Sequence, residues 1–428
     1  MTARTKAFFQ GSYFQDGQPS ASIVPGRIRD LVDSIWSMAP VSVMDYGAVG
    51  DNNTDDSGAI QAAINAVAGN GNGCGFVRFP AAPGGAYLIK NPITLKMGVT
   101  LIGETSPGWG DGFSQTSFTQ NSGSPCRINA GPGVPGAMIV LDNSNSNMLG
   151  MGIMNLVIDG RNTAGGGSFP GNALITYNGT TFAERRLFMW NCELVRSVGG
   201  GIQVNGLDGA IEISHTHFNI CGTYGFQLTN GAGDVILDNC LFRGCGPRGA
   251  GGALEGLGAA VQINEGSTIN ILGGRIEENY GFGVMALTTN NVSGVQGSRS
   301  LITVTGTVFE HNDLAALCAS GQGQPNSIAC VKASGCLMFG NGFNASAYSG
   351  LTADDWCEVR ANGYGRVVVG DCIEKALGEG VPKHWANASN GAKIWSNMNA
   401  FTDAITTPNF TSGTPAGTVT ANGDINGI

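Results

Sequence analysis

Charged residues are scarce in this chain. Asp, Glu, Lys and Arg make up 12% of its 428 residues, where about 25% is usual for a globular domain. The net charge of −9 argues against a nucleic-acid partner. No apolar run reaches the roughly 18 residues of a membrane-spanning helix. The opening residues, MTARTKAFFQGSYFQDG, lack the apolar core of a secretion signal. We therefore expect neither a membrane span nor conventional secretion.

The cysteines lack the spacing of a metal or redox site. There are eleven of them, an odd number, and no two form a CxxC pair. Four of them occupy one position of the repeat described below, where Thr or Gly also occurs: Cys192, Cys240, Cys336 and Cys372. We interpret the cysteines as packed free thiols of a protein folded in a reducing cytosol, and we expect no metal and no cofactor.

Glycine is abundant instead, with 69 residues, and much of it belongs to a repeat. Successive copies begin roughly 24 to 38 residues apart, a period typical of solenoid proteins. The eight copies are MNLVIDG from Met154, NCELVRS from Asn191, HTHFNIC from His215, NCLFRGC from Asn239, GGRIEEN from Gly273, GTVFEHN from Gly306, GCLMFGN from Gly335 and DCIEKAL from Asp371.

Each position of the repeat has its own chemistry. The first is Asn, Gly, Asp or His, which is typical of a tight corner with a left-handed backbone. The next is small or apolar, and two positions later comes Ile, Leu, Phe or Met, so the period is that of a strand. Two further short strands precede each corner. Three strands per coil predict an all-β, single-stranded parallel β-helix.

A more specific signal precedes the repeat. VMDYGAVGDNNTDDSGAIQAAINAV runs from Val43 to Val67, and VRFPAAPGGAYLIKNPITLKMGVTLIGE runs from Val77 to Glu104. Together they resemble the first-coil module of the pectate-lyase-3 group of pectin-lyase-like proteins, which includes bacteriophage tailspikes and relatives of polygalacturonases. The resemblance implies a right-handed β-helix whose first coil is plugged by a short helix.

The residues of this module agree with such a helix. Asp55 or Asp56 can cap a helix that begins near Ser57. Its apolar stripe is Ala59, Ile60, Ala63, Ile64 and Val67. We interpret the acidic cluster Asp45, Asp51, Asp55 and Asp56 as turn-forming and capping groups in preference to a calcium site.

Four segments follow from these patterns. Residues 1–40 are predicted to be an attachment or assembly segment, because an apolar helical stripe there resembles phage tail-fibre N-termini; packing against the rest of the chain is the alternative. Residues 41–105 form the module with the capping helix. Residues 106–381 form the β-helix with loop excursions, and residues 382–428 form a C-terminal cap or trimer-sealing segment.

Candidate site residues stand in outward positions of the repeat. Two columns bring Glu277 and Glu310 next to each other on adjacent coils, about 4.8 Å apart. Paired carboxylates are what glycoside hydrolysis needs, so we predict them to be catalytic. Substrate-binding residues are predicted on the same face: Arg243, Arg275, His217 and Glu193. The alternative is a self-neutralising ladder of Glu and Arg.

A third outward column is polar but uncharged over most of its length. It comprises Gln203, Gln227 and Gln262, followed by Glu358. Such amides bind sugar hydroxyls or bond to one another along the stack. The catalytic sets of polygalacturonases and of calcium-dependent pectate lyases are not found, so pectin is a doubtful substrate. Tailspike depolymerases keep the scaffold and vary the carboxylates.

The expected function is that of a homotrimeric phage tailspike or tail-fibre protein, made in the host cytoplasm and carried on the virion. It would bind its host receptor, a bacterial capsule, exopolysaccharide or O-antigen, and would cleave it as a glycoside hydrolase rather than a lyase. Residues 1–40 would contact the phage tail or baseplate. The alternatives are a bacterial polysaccharide lyase or hydrolase of the same fold, and a non-catalytic adhesive virion fibre.

Overall fold

The structure is a computed structural model, and it describes most of the chain from residue 40 onward. The predicted attachment segment, residues 1–40, lies outside the described residues except for Pro40. The described ranges are 40–69, 74–107, 126–132, 134–142, 150–160, 173–179, 187–206, 209–231, 233–247, 257–288, 299–321, 328–342, 344, 348, 357–374, 384–397, 399–401, 409–412, 417–422 and 425–426.

Three parallel sheets run the length of the molecule, and each coil contributes one strand to each sheet in turn. Sheet A contains Val41–Ser42, Gly75–Phe79, Val99–Gly103, Met151–Met154, Leu187–Trp190, Ala210–Ser214, Asp234–Asp238, Ser267–Leu272, Arg299–Thr305, Ile328–Ser334, Arg366–Gly370, Lys393–Asn397 and Thr418–Asn422. Sheet B contains Asp51–Asp55, Ala86–Ile89, Arg127–Ala130, Val157–Asp159, Glu193–Ser197, His217–Cys221, Leu241–Arg243, Arg275–Glu277, Val308–Glu310, Leu337–Phe339, Ile373–Glu374, Ala400–Phe401 and Ile425–Asn426.

Sheet C contains Ile93–Leu95, Ile139–Leu141, Ile175–Asn178, Gly200–Asn205, Tyr224–Thr229, Ala259–Asn264, Phe282–Thr288, Leu317–Gly321, Cys357–Gly363, His384–Ser389 and Asn409–Ser412. Every strand pairs in parallel with the strands one coil before and after it, as Val157 does with Glu193. The predicted parallel β-helix with three strands per coil is therefore confirmed.

The corner between sheets A and B is the first position of the repeat. All eight of its residues have a left-handed backbone, with φ between +49° and +66°: Asn155, Asn191, His215, Asn239, Gly273, Gly306, Gly335 and Asp371. Side chains also support the non-glycine corners, since Asn191 Nδ2 donates to Asn155 Oδ1 over 2.8 Å. Hydrogen bonding along the stack offsets the strain of a left-handed asparagine.

The core is a column of stacked apolar side chains inside the coils. The inward residues of sheet B are at most 1% exposed: Ile158, Leu194, Phe218, Phe242, Ile276, Phe309 and Met338. Phe218 and Phe242 stack with their centroids 4.4 Å apart, because adjacent coils are in register. Burying each such side chain contributes roughly 1.5–3 kcal/mol.

Helix α1, Ser57–Ala68, closes the first coils, and a 3-10 helix, Val43–Tyr46, precedes it. Ile60, Ala63 and Ile64 of α1 are buried in the same core as the strands. Asp55 Oδ1 accepts from the Ser57 backbone N–H over 3.1 Å, and Asp56 accepts from two loop N–H groups. Both the capping helix and the structural interpretation of these aspartates are confirmed.

The C-terminal strands join the same three sheets. From His384 to Asn426 they extend the sheets beyond residue 381, where the sequence interpretation placed a cap. A trimer-sealing role for residues 382–428 stays a prediction. In the part of the chain that the structure describes, no helix is long and apolar enough to cross a membrane.

All eleven cysteines are free thiols. The four at the repeat position just past the A–B corner are buried, as predicted. Cys192 and Cys240 each donate a sulfur hydrogen bond to a backbone carbonyl of the preceding coil over 3.4 Å. For these four cysteines the interpretation as packed free thiols is confirmed, and it accounts for their exchange with Thr at the same position, whereas Cys74 is exposed and Cys330 is half-buried.

Candidate functional site

The outward face of sheet B has the register that the repeat predicts. One column of paired residues is Arg127, Val157, Glu193, His217, Leu241, Arg275 and Val308. The other is Asn129, Asp159, Val195, Asn219, Arg243, Glu277 and Glu310. Four of the predicted substrate-binding residues and both predicted catalytic residues therefore share this face.

Glu277 and Glu310 are direct neighbours on adjacent coils. Arg275 lies between them: its Nη2 is 2.8 Å from Glu277 Oε2 and 2.6 Å from Glu310 Oε2. Because both distances end at one nitrogen, the two oxygens are separated by no more than their sum, about 5.4 Å. A separation within that limit is compatible with the close carboxylate pair of retaining glycosidases, about 5–5.5 Å, and is shorter than the spacing of inverting ones, about 6.5–9.5 Å.

Arg243 supports the pair from the preceding coil. Its Nε lies 3.9 Å from Glu277 Oε1, and its Nε and Nη2 both donate to Glu278 Oε2, over 2.9 and 2.7 Å. The ion-pair ladder considered as the alternative interpretation is therefore present in this structure. It joins the carboxylates of Glu277, Glu278 and Glu310 to the guanidinium groups of Arg243 and Arg275.

Glu278 and His311 belong to this cluster but were missed by the sequence reasoning. They follow Glu277 and Glu310 directly and have φ of +52° and +49°. The Glu278 backbone N–H donates to the Glu310 carbonyl over 2.8 Å. His311 Nδ1 lies 3.7 Å from Glu310 Oε1. The recurrence of an ionisable residue directly after each glutamate, in RIEEN and VFEHN, was the available signal.

The two carboxylates have different environments. The Glu277 side chain is 12% exposed, Glu310 is 24% exposed and Arg275 is 53% exposed. Burial raises the pKa of Glu277, Arg275 and Arg243 oppose that shift, and the charges of Glu310 and Glu278 add to it. A carboxyl group with a raised pKa is suited to act as a general acid, which favours Glu277 for that role.

Glu193 and His217 are paired on adjacent coils of the same face. Asn219 Nδ2 donates to Glu193 Oε1 over 3.2 Å. Burial lowers the pKa of His217 to about 4, so its imidazole is neutral at neutral pH. Two coils, about 10 Å, separate His217 from Arg275 along the stack. A neutral histidine and a glutamate at this distance suit contacts to sugar hydroxyls beyond the carboxylate pair.

A second ion-pair cluster lies farther along sheet B. The Asp159 side chain is fully buried and accepts from Arg127 Nη1 and Arg196 Nε, each over 2.9 Å. Four coils, about 19 Å, separate it from Glu277. Two guanidinium groups therefore hold this one buried carboxylate in place.

The glutamine column lies on sheet C and not on the face that carries Glu277. Gln203 Nε2 donates to Gln227 Oε1 over 3.0 Å, so these amides do bond to each other. Gln262 is 3% exposed and donates to Asn264 Oδ1 over 2.9 Å. The column then continues through Met285, Cys318 and Arg360.

The placement of Glu358 in that column was wrong. Val359 pairs with the inward residue Leu317, and Cys318 pairs with Arg360, so Arg360 takes the predicted place. Glu358 is fully buried. It accepts from the Asn341 backbone N–H over 3.0 Å and from Asn341 Nδ2 over 2.7 Å.

Glu358 ends an asparagine ladder, which we define as Asn279, Asn312 and Asn341. Each amide donates to the next side chain along the stack, Asn279 to Asn312 over 2.8 Å and Asn312 to Asn341 over 2.6 Å. All three are fully buried. Asn279 and Asn312 stand two residues after Glu277 and Glu310, so the ladder fixes the corner that follows both carboxylates.

No metal site is apparent among the described residues. In those ranges, no group of three or more His, Cys, Asp or Glu side chains is arranged to hold an ion.

Comparison with known proteins identifies the fold family. The family model for rhamnogalacturonase A/epimerase, pectate lyase-like proteins matches residues 40–284. No curated protein matches the chain. Among solved structures, the A-module of mannuronan C-5 epimerase AlgE6 from Azotobacter vinelandii is 15% identical, with a TM-score of 0.54 over 91% of this chain and 99% of that module.

Two further structures carry the same architecture. The catalytic unit of the GH87 α-1,3-glucanase from Streptomyces thermodiastaticus is 14% identical, with a TM-score of 0.51 over 90% of this chain and 68% of that unit. Tailspike protein 2 of an Escherichia coli O157:H7 bacteriophage is 13% identical, with a TM-score of 0.54 over 84% of this chain and 42% of the tailspike. At these identities the likeness shows the fold. Since the family model covers more than half of the chain, the protein belongs to the rhamnogalacturonase A/epimerase, pectate lyase-like family.

Proposed function

We propose that this protein is a phage tailspike or tail-fibre protein that binds and cleaves a bacterial surface polysaccharide as a glycoside hydrolase. The observation that carries the proposal is the Glu277–Glu310 pair on the outward face of sheet B, with oxygens no more than about 5.4 Å apart. Capsule, exopolysaccharide and O-antigen are the substrates that fit a tailspike.

The environments of the two carboxylates suggest their roles. Glu277, whose pKa is raised, donates its proton to the glycosidic oxygen as the bond to the anomeric carbon breaks. Glu310 attacks that carbon and forms a glycosyl-enzyme ester. Glu277 then removes a proton from water, the water oxygen displaces Glu310, and the sugar is released with retained configuration.

Arg275 must leave the carboxylate pair for this reaction. Its side chain is 53% exposed, so movement toward solvent or toward a sugar is sterically open. An acidic sugar would draw the guanidinium away through its own carboxylate. Because Arg275 opposes the upward shift of the Glu277 pKa, its removal raises that pKa further and favours the protonated acid when substrate is bound.

The comparisons support a carbohydrate substrate and a virion location. The similar structures include a tailspike and an α-1,3-glucanase on the same fold. Homotrimer formation and attachment through residues 1–40 are parts of the same proposal, and light scattering of the full chain tests the first of them.

Depolymerisation assays test the proposal directly. Purified capsule, exopolysaccharide and lipopolysaccharide are incubated with the protein, and new reducing ends are measured together with the ultraviolet absorbance of unsaturated ends. We expect reducing ends without unsaturated ends, and a first-formed anomer of the same configuration as the substrate. Glu277→Gln and Glu310→Gln should each lower the rate on the order of 10²- to 10⁴-fold while polysaccharide binding persists.

The matched control is Glu212→Gln, which alters a partly exposed glutamate on the outward face of sheet A and should leave the rate unchanged. Full activity in both site variants would remove these carboxylates from the mechanism. Binding with no shortening of any polymer would show an adhesive fibre, and unsaturated ends would show a lyase.

A further inference from the structure

A second charged surface lies on sheet A, away from the carboxylate pair. We call it the basic strip, and it comprises Arg299, Lys332, Arg366 and Lys393. All four side chains are exposed and stand at outward positions of four successive sheet A strands. In a chain of net charge −9, four exposed cations on one face require an explanation.

The register of sheet A brings two of these cations together and places the other two, Lys332 and Arg299, on the two preceding coils, displaced along their strands. Arg366 pairs with Lys393 on the next coil, about 4.8 Å away. Arg366 also pairs with Cys330 on the preceding coil, two residues before Lys332. Burial raises the pKa of the Cys330 thiol, and Lys332 and Arg366 both act against that rise, so the field of both cations reaches this one position.

Among the described residues, no carboxylate lies within ion-pair distance of the strip. On sheet B, Arg127, Arg196, Arg243 and Arg275 all form ion pairs with Asp or Glu. Within the described part of the chain, none of the four cations of the basic strip forms such a pair. The five sheet A strands from Ser267–Leu272 to Lys393–Asn397 contain no Asp or Glu.

Aromatic side chains border the strip. Trp395 stands two residues after Lys393 at an outward, partly exposed position. Tyr364, which is 41% exposed, stands two residues before Arg366. The Lys393 N–H donates to the Gly365 carbonyl over 3.1 Å, which fixes the Tyr364 turn next to this coil. Flat apolar rings beside cations are suited to a sugar ring that carries a negative charge.

We propose that the basic strip is a second, non-catalytic binding surface for an acidic polysaccharide, with its carboxylates on Arg366 and Lys393 and a sugar ring against Trp395. Arg366 and Lys393 stand one coil spacing apart, about 4.8 Å, and the other two cations lie on the two preceding coils, displaced along their strands, so an extended polymer that crosses this face meets several of them. The proposal does not depend on the roles of Glu277 and Glu310.

A second copy of the chain fits this surface less well. In a cyclic assembly of parallel β-helices the same coils meet around the axis, so the strip would face like charges. A linear anionic polymer pairs with the cations without that repulsion, and Trp395 adds contact area that a bare charge pair lacks. The strip also lies on a different sheet from the carboxylate pair, so a polymer bound there leaves the carboxylate pair accessible.

Affinity electrophoresis of the full chain tests the proposal. Polygalacturonate serves as the acidic polymer and dextran as the neutral one, in a Glu277→Gln/Glu310→Gln background that prevents cleavage. We expect binding to polygalacturonate that weakens with salt, and none to dextran. Arg366→Gln/Lys393→Gln should weaken binding about 10- to 30-fold at low salt and reduce the salt dependence.

Two further variants separate the sugar contact from charge alone. Trp395→Leu should weaken binding about fivefold while leaving the salt dependence intact. Arg78→Gln is the matched control, because Arg78 is an exposed arginine on the outward face of the same sheet that pairs with Glu104 over 2.9 Å. Arg78→Gln should bind polygalacturonate with the same affinity as the Glu277→Gln/Glu310→Gln background.

Several results would overturn the proposal. One is unchanged affinity in Arg366→Gln/Lys393→Gln, with folding confirmed by thermal denaturation. Another is a molar mass of that variant, measured by light scattering, that differs from that of the background. Such a change would show that the strip lies in an interface between copies of the chain. If the protein bound duplex DNA as tightly as polygalacturonate, or if Trp395→Leu bound polygalacturonate as tightly as the background does, the strip would be a general surface for polyanions and not a polysaccharide site. Loss of cleavage in Glu277→Gln bears only on the proposed hydrolase.

Discussion

Replacing Asn312 with alanine tests whether the asparagine ladder holds the corner behind the carboxylate pair. Asn312 is fully buried and its side chain makes four hydrogen bonds. Nδ2 donates to the Ile276 carbonyl over 3.0 Å and to Asn341 Oδ1 over 2.6 Å. Oδ1 accepts from the backbone N–H and the Nδ2 of Asn279, over 3.3 and 2.8 Å.

The expected loss of stability follows from these bonds. Each intramolecular hydrogen bond contributes about 1 kcal/mol net, and a buried donor left without a partner costs about 1–3 kcal/mol. Alanine removes four bonds and leaves both donors of Asn279 facing an empty position. We therefore expect the free energy of unfolding to fall by about 3–5 kcal/mol, which is large for a single substitution.

The substitution should also affect the candidate site. Asn312 follows Glu310 by two residues, and the Ile276 carbonyl that it holds directly precedes Glu277. A ladder that no longer fixes this corner lets both carboxylates move relative to each other. We expect polysaccharide cleavage to fall at least tenfold in folded protein, because positioning errors of about 1 Å at a reacting group cost up to about 10²-fold in rate.

Urea denaturation and amide exchange at Asn279 provide the measurement. The control is Asn270→Ala, which removes a partly exposed outward asparagine of sheet A and should change the free energy of unfolding by about 0.5 kcal/mol or less. A loss below about 1 kcal/mol for Asn312→Ala, with unchanged exchange at Asn279, would refute the reasoning.

Three further predictions concern buried charge, thiols and pH. Asp159→Asn should lower the free energy of unfolding by about 3–5 kcal/mol, because two arginines lose their buried partner; an unchanged urea midpoint would contradict this. Native protein should react with a thiol reagent at exposed Cys74 and half-buried Cys330, and all eleven thiols should react after unfolding without reductant; a lower total would reveal a disulfide. The pKa of Glu277 in the folded state lies above its usual 4.5, so the folded state binds this proton more tightly than the unfolded state does. As pH rises from 4.5 through the folded-state pKa, ionisation of Glu277 therefore lowers the free energy of unfolding. Glu277→Gln should therefore be more stable than the parent at neutral pH, and the difference between their urea midpoints should become smaller as the pH falls toward 4.5. A difference that grows as the pH falls would contradict the raised pKa of Glu277.

The coil pattern could be read from the sequence because it depends on local chemistry. A left-handed corner accepts Asn, Gly or Asp at low cost, and alternation in a strand sends every second side chain inward. Both rules act over a few residues, so Asn191 and Phe218 show them without any long-range information. Once eight corners were aligned, the register also placed Glu277 beside Glu310.

The partners of that pair could not be obtained in the same way. Glu278 and His311 have a left-handed backbone, so the alternation of sheet B ends with the residue before each of them. Past such a corner, counting inward and outward positions from the preceding strand fails. The asparagine ladder begins there, and it ends at Glu358, which the sequence reasoning placed in the glutamine column.

Exposure was the other property that strand alternation did not predict. Met285 and Cys318 point outward from sheet C in the glutamine column, yet both are fully buried in a second apolar cluster with Tyr348. Which outward residues meet water depends on the segments that lie over each sheet, and these come from elsewhere in the chain.

The sequence by itself therefore determined the coils, the corners and the neighbours along each column, because these follow from backbone geometry repeated every coil. The tertiary structure decided which carboxylate is buried, which guanidinium groups pair with it and which cations of sheet A have no carboxylate partner among the described residues. Burial and ion pairing are set by groups that approach through space across several coils, and no local pattern of residue types records that approach.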